Sequence, residues 1–335
     1  MLSICVLGSG SSGNAAVVSS ATTTVLVDAG LSARQLLLRL ELAGIPFESI
    51  NAILLSHEHS DHTQGMETFC KKHSVPVYCT ALTRESLCGQ LKKPPGWRVI
   101  SSGRIFEIGD ITVDSFSIPH DAVEPLGFVM SCREAKLGLL SDIGHVTHVV
   151  RERLRGVHTL FIESNYDEKL LESDTKRPWA TKQRISSRHG HLSNRQTAEL
   201  IGEIAHPGLS RVILGHLSQD CNDPGLATRC IRTVLIECGL HETEVHCAEP
   251  KHPTPLWQVM APVLGRQGDW GTGRFGDLEN GRMEERNVAG EVFVSEDFDQ
   301  LSPQSPSLPT SKSPSLQVPQ SPSLQSFQGE LALGL

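Results

Sequence analysis

The 335-residue chain has no apolar run approaching the ~20 residues that a membrane span requires. It has no basic lead-in either: Met1-Leu2-Ser3-Ile4-Cys5-Val6-Leu7 runs into glycines too soon for a signal peptide. No two of its nine cysteines form a C-x-x-C pair, and an odd count excludes a complete disulfide framework. Most of them sit in apolar segments, where a free thiol behaves as a small hydrophobe. These absences predict a soluble cytoplasmic protein with reduced thiols and no membrane partner. Surplus positive charge is missing too. Thirty basic and 38 acidic residues give −8. Residues 261–335 hold five basic and ten acidic side chains (−5), which leaves 25 and 28 (−3) for residues 1–260. A nearly neutral domain can still carry a local basic groove, so nucleic acid is not excluded.

Short β-branched runs alternate with helical patterns over the first 250 residues. Ile4–Leu7 and Thr23–Val27 read as strands joined by the loop Gly8-Ser9-Gly10-Ser11-Ser12-Gly13-Asn14. Ser32 caps a helix with apolar positions Leu36, Leu37, Leu40 and Ala43 that stops at Gly44. Ile50–Leu55, Val75–Cys79, Phe128–Cys132, Leu137–Ser141, Thr159–Glu163, Arg211–Leu214 and Glu244–Cys247 read as further strands, with a hairpin turning at Gly109-Asp110. Helices are expected over 146–155, Asn194–Ala205 and Pro224–Cys238. Strands in both halves with helices between them suit an α+β domain of two sheets packed face to face and covered by helices. Composition changes after residue 262. Gln304-Ser305-Pro306-Ser307-Leu308 recurs, with one change, at 312–316 and again at 320–324. Such Ser/Pro repeats carry too little apolar surface for a core. The reading is a domain over 1–262 and a disordered low-complexity tail over 263–335.

The segment Ser56-His57-Glu58-His59-Ser60-Asp61-His62 follows an apolar run, Ile50 to Leu55, and packs three imidazoles and Asp61 into six residues. Neutral imidazole nitrogens and carboxylates bind Zn²⁺-like ions. Four such groups on one loop exceed what one tetrahedral site needs, which suggests two metals. Further candidates each stand just beyond an apolar run: His120 after Ile118-Pro119, Asp142 after Leu140-Ser141, and His216 after Leu214-Gly215. Taken singly each fits a structural role. Arriving together, they describe loops converging at one rim of a sheet.

The string H-x-H-x-D-H, followed by His, Asp and His, resembles the metallo-β-lactamase-fold hydrolases. The segments Gly8–Asn14, His120-Asp121-Ala122, Glu163-Ser164-Asn165-Tyr166-Asp167, Gly190-His191-Leu192-Ser193-Asn194, His216-Leu217-Ser218 and Cys221-Asn222 narrow the resemblance to the YycJ (WalJ)-type subfamily, a group of 5′→3′ DNA exonucleases. It spans roughly residues 1–250 and implies an αββα sandwich. It further implies two divalent ions (Zn, Mn or Fe), one held by His57, His59 and His120, the other by Asp61, His62 and His216, with Asp142 bridging. Two metals sharing a hydroxide suit phosphodiester hydrolysis, with Asp61 and Asp142 at the reacting centre. His191 is then the candidate for protonating the leaving group or holding the phosphate.

Substrate contacts are less determined. Ser9, Ser11, Ser12 and Asn14 of the glycine-rich loop offer hydroxyls and backbone amides to phosphate oxygens; the same glycines equally serve a tight strand connection. The loop is not a P-loop, because no G-K-[ST] follows, and nothing points to an organic cofactor. Lys176, Arg177, Lys182, Arg184, Arg188 and Arg195 make 176–195 the most basic stretch, and they flank His191, Ser193 and Asn194. Arg184 and Arg188 are candidate backbone contacts to DNA; a solvated basic face fits as well. Two other functions stay open: hydrolysis of a small ester, thioester, lactone or lactam on the same scaffold, and a metal-binding regulatory protein without turnover.

Overall fold

The apolar runs pair into two seven-stranded sheets in a computed structural model that describes residues 1–261. The tail expected over 263–335, and residue 262, lie outside the described residues. In chain order the strands are β1 (Ser3–Gly8), β2 (Ala15–Ser19), β3 (Thr24–Val27), β4 (Ala52–Leu54), β5 (Pro76–Thr80), β6 (Gly96–Ile100), β7 (Ile105–Ile108), β8 (Ile111–Ser117), β9 (Leu126–Cys132), β10 (Ala135–Leu140), β11 (Thr159–Glu163), β12 (Arg211–Gly215), β13 (Glu244–Cys247) and β14 (Trp257–Gln258). The first sheet has the order β14-β1-β2-β3-β4-β5-β6, the second β13-β12-β11-β10-β9-β8-β7. Each begins as an antiparallel meander, β1 to β3 and β7 to β10, then continues with parallel strands. Parallel neighbours need a crossover. The helices Ala33–Leu42, Met66–Lys72 and Ala81–Cys88 provide it in the first sheet, and His148–Leu154, Asn194–Ile204 and Pro224–Glu237 in the second.

Successive side chains of a strand face opposite ways, and here both faces are dry. On β1, Ile4 and Val6 enter the layer between the sheets, where Val25, Val113, Phe128, Leu137 and Ile213 also pack. Cys5 and Leu7 point the other way, into a layer with Leu36, Leu40 and Phe69 of the covering helices. The second sheet repeats this: Leu160, Ile162 and Leu214 pack against Leu154, Ile201 and Ile231. Three apolar layers make an αββα sandwich, the fold class expected from the sequence.

Two local expectations differ. The glycine-rich loop does not join the first two expected strands directly. β2 lies between them and pairs antiparallel with β1 and β3. Its residues Ala15 to Val18 are buried on both faces, so they lack the alternation that marks a half-buried strand. Short helices at Glu168–Ser173 and Trp179–Ile185 occupy a stretch with no strong apolar period. All nine cysteines are free, and among the described residues no helix is long and apolar enough to cross a membrane.

Candidate metal centre

Parallel strands end at the same rim, and there the chemistry collects. Asp28 follows β3, His57 to His62 follow β4, His120 follows β8, Asp142 follows β10, Glu163 ends β11 and His216 follows β12. Four non-glycine residues among those described have positive φ, and three belong to this rim: Asp28 (59°), Asp142 (52°) and His216 (51°). A left-handed backbone is costly for side chains with a Cβ. Here it turns the chain sharply at the strand end and aims each side chain over the rim.

The metal loop is fixed from below. The Ser56 backbone N–H donates to Asp28 Oδ1 at 2.8 Å, and the Ser56 hydroxyl donates to Oδ2 at 2.9 Å. His62 Nδ1 lies 2.8 Å from Asp28 Oδ2. A carboxylate can only accept, so Nδ1 carries the proton and Nε2 faces Asp142 Oδ2. Asp61 and His62 ride on the short helix Ser60–Thr63, and Asp61 Oδ2 is 3.7 Å from His62 Nε2. The glycine-rich loop braces this helix: Asn14 N–H donates to the Asp61 carbonyl at 2.7 Å, and Gly30 N–H to the Asn14 carbonyl at 2.9 Å. A Cβ at Gly30 would overlap the Asp61 carbonyl oxygen, so only glycine allows this approach.

On the other side, His120 Nδ1 donates to the Gly190 carbonyl at 3.2 Å, which turns Nε2 toward the centre. His59 Nε2 meets the Asp121 carbonyl at 3.2 Å. Asp142 is buried, with His62 at one carboxylate oxygen and His216 Nδ1 at the other. Glu163, fully buried, accepts from the Leu192 and Asp142 backbone amides and from His191 Nδ1, the last at 2.9 Å. The His216 backbone is clamped at both ends: its N–H donates to Ser9 Oγ at 2.8 Å, and its carbonyl accepts from Asn165 Nδ2 at 2.7 Å.

Ligand atoms lying within 4.8 Å of one another form three groups: His57, His59 and His120; His57, His62 and Asp142; Asp142, Glu163, His191 and His216. His57 Nε2, both Asp142 oxygens and His216 Nδ1 are buried without a hydrogen-bond partner. Buried polar atoms left unpaired are costly, and a divalent cation is the partner that a cluster of imidazole nitrogens and a carboxylate fits. The lowered pKa values of His57 and His120 agree. Burial, helped by the His62 imidazole, holds His57 well below the usual imidazole pKa, and burial also lowers that of His120, so both offer neutral lone pairs. Burial opposes charge on His62 as well, but Asp28 and Asp142 outweigh it and raise its pKa well above the usual value. Burial works against Asp142 too, yet His216 and His62 hold its carboxyl well below the ordinary range. His191 stands at about 9: burial lowers it, and Glu163 then Asp142 more than reverse that. The site binds divalent metal.

The remaining residues singled out in the sequence divide. Ser9, Asn14, Ser193 and Asn194 are buried. Ser9 holds His216, and Asn14 braces Asp61. Ser193 caps Asn194–Ile204 in a reciprocal capping box with Gln196, and Asn194 joins Ser164 and Asn222 in an internal network. In this structure their polar atoms are engaged within the scaffold. Ser11 and Ser12 are exposed. Arg184 is exposed but paired with Asp121 at 2.6 Å, and the Arg188 guanidinium donates to His145 Nε2 at 3.0 Å. Asp28 and Glu163 were not among the expected site residues. The signal for them was the one used for Asp142, a lone carboxylate closing an apolar strand.

A model of the beta-lactamase superfamily domain matches residues 23–217, more than half of the chain. The chain is 33% identical over 264 residues to a Bacillus anthracis protein named Exodeoxyribonuclease YycJ, covering 77% of this chain and 99% of that one. It is 32% identical over 263 residues to Exodeoxyribonuclease WalJ of Streptococcus pneumoniae, covering 76% and 97%. Among solved structures, the metallo-beta-lactamase fold protein YhfI of Bacillus subtilis superposes with a TM-score of 0.57 at 17% identity, over 77% of this chain and all of that one, and so shares the fold. The chain belongs to the metallo-β-lactamase superfamily and, within it, to the family of the YycJ and WalJ proteins.

Proposed function

We propose that this chain is a dinuclear metal-dependent phosphodiesterase that degrades DNA from its ends in the 5′→3′ direction. The observation that carries the reading is the buried ligand cluster around Asp142, placed beside a histidine that the Glu163 and Asp142 carboxylates keep protonated against the effect of burial. Two bound divalent ions would supply a hydroxide nucleophile at neutral pH and neutralise charge on a non-bridging phosphoryl oxygen. His57, His59 and His120 would hold one ion; Asp61, His62 and His216 the other; Asp142, with one oxygen toward His62 and one toward His216, is placed to serve both. The chain's own residues supply the rest. Glu163 fixes the His191 ring through Nδ1, leaving Nε2 to give a proton to the departing 3′ oxygen. Asp28 keeps the His62 tautomer that presents Nε2. The names of the YycJ and WalJ relatives support DNA as the substrate class.

The test uses purified protein with Mn²⁺ or Zn²⁺ and end-labelled duplex DNA. Mononucleotides should leave from the 5′ end, and His191→Ala should keep its metal while turnover falls by about 10²–10⁴-fold, the usual worth of a positioned acid. Failure to cleave DNA with either metal, together with turnover of a thioester or lactone, would sink the reading.

A further inference from the structure

Trp179 exposes 69% of its surface; among the large apolar side chains described, only Met1 exposes more. It opens the helix Trp179–Ile185, which buries none of its seven residues and has no side-chain cap at Pro178. Its apolar anchorage is confined to Ile185, which packs against the small cluster of Tyr166, Leu171 and Cys221. Its carboxyl end is also stitched to the metal centre. The His191 N–H donates to the Ile185 carbonyl at 2.8 Å, and Arg184 binds Asp121, whose other oxygen is 3.2 Å from His120 Nε2. At 1.5 Å rise per residue, Trp179 lies about 8 Å along the helix from Arg184, which in turn reaches His120 only through Asp121, so the indole stands outside the ligand cluster.

The basic stretch around it is less basic than its sequence suggests. Lys176 pairs with Asp220, Arg177 with Asp174 and Asp220, Arg184 with Asp121, and Arg195 with Glu168 and Glu199. Among the described residues, Lys182 and Arg188 alone of the six have no carboxylate partner. Lys182 donates to the Glu172 backbone carbonyl and Arg188 meets a histidine, so both keep their full charge. Trp179 and Lys182 share one groove with Tyr166, Gln183 and Glu172.

We propose that Trp179 is a stacking platform for an unpaired base of the DNA strand a few nucleotides from the scissile phosphate, with Lys182 and Arg188 as contacts to the phosphates between. The proposal rests on the nuclease reading and adds to it that the strand enters single-stranded. A free indole face gives sequence-tolerant stacking to any base, and a duplex hides that face of its bases. Gln183 and the Glu172 carboxylate offer hydrogen-bond groups to the base edge. A duplex end must then fray before its scissile phosphate reaches the metals.

The test compares wild type, Trp179→Ala, Trp179→Phe and Lys182→Ala, all full-length and Mn²⁺-loaded. The substrates are a single-stranded oligodeoxynucleotide and bis(p-nitrophenyl) phosphate, a diester too small to reach Trp179. Trp179→Ala should lower kcat/KM on the oligonucleotide by about 5- to 100-fold, the range for losing one stacked base, and leave the small diester unchanged. Trp179→Phe should recover most of the loss. Wild-type fluorescence should be quenched by the oligonucleotide with the metal exchanged for non-catalytic Ca²⁺, and the quench should vanish in Trp179→Ala. Lys182→Ala should reduce the salt slope of binding by about one phosphate contact. Unchanged oligonucleotide turnover in Trp179→Ala would overturn the proposal, as would a parallel loss on both substrates. A wild-type protein that cleaves the small diester but not DNA would instead defeat the nuclease reading itself, and the platform with it.

Discussion

Asp28→Asn separates the fold from the metal chemistry more cleanly than removal of any ligand. Asparagine tolerates the left-handed φ of 59° as aspartate does. Its amide oxygen, in the Oδ1 position, can keep the Ser56 N–H bond at 2.8 Å and accept the Ser56 hydroxyl, which already lies 3.1 Å from Oδ1. It cannot accept from His62 Nδ1 as well, because the remaining group is an NH₂ donor. The ring must then turn its lone pair to Nδ1 and place its proton on Nε2, the atom that faces Asp142. Losing such an orienting partner costs about 10–100-fold in metal affinity, or about 1.4–2.7 kcal/mol. The assay is Zn²⁺ competition against a chromophoric chelator, with bound metal counted by elemental analysis. One ion should bind as in wild type and the other about 10–100-fold more weakly, with an unchanged circular dichroism spectrum. Asp28→Ala provides the contrast. It orphans the Ser56 N–H, about 1–3 kcal/mol, and puts a Cβ at left-handed φ without a polar side chain, about 1–2 kcal/mol more, so its melting temperature should drop. If Asp28→Asn held both ions with wild-type affinity, either His62 would not be a ligand or Asp28 would not set its tautomer.

Three further outcomes are expected. In the metal-free protein, His191 should titrate at about 9 by NMR, and Glu163→Gln should bring it down toward the ordinary imidazole value. A raised pKa stabilises the fold fully below the unfolded value near 6.5, and that contribution fades as pH rises through about 9; the alkaline loss of stability should shrink in Glu163→Gln. Gly30→Ala, whose Cβ would overlap the Asp61 carbonyl, should cost about 3 kcal/mol or more and abolish metal uptake, as thermal melts and elemental analysis would show. Deleting 263–335 should leave kcat/KM on DNA unchanged if that segment is an appendage.

The ligands were legible because each metal-capable side chain follows a run of apolar residues, and a strand in a doubly covered sheet must end where the apolar residues stop. Asp28 and Glu163 obey the same rule after Val27 and Ile162. They escaped notice because a single carboxylate at a strand end is common, and only tertiary contact shows Asp28 meeting Ser56 and His62. Ser9, Asn14, Ser193 and Asn194 were hardest to place. Small polar residues in glycine-rich or basic surroundings look like ligand contacts, yet Ser9 is spent on a residue 207 positions away. β2 was hidden by its own burial. The charge of 176–195 was visible, whereas the acids that neutralise most of it come from segments as distant as Asp121 and Asp220.

The long reach of Ser9 to His216 has a consequence for biosynthesis. Among the described strands β1 comes earliest in the chain, but its edge stays open until Thr254 accepts the Val6 N–H and Trp257 pairs with Ile4. His216, the last of the ligands in the chain, is held by Ser9 and Asn165 at once. Synthesis runs from the amino end, so a nascent polypeptide that stops before residue 216 carries the H-x-H-x-D-H loop without His216. Complete metal loading would therefore wait until the chain has passed His216 and can close it against Ser9 and Asn165.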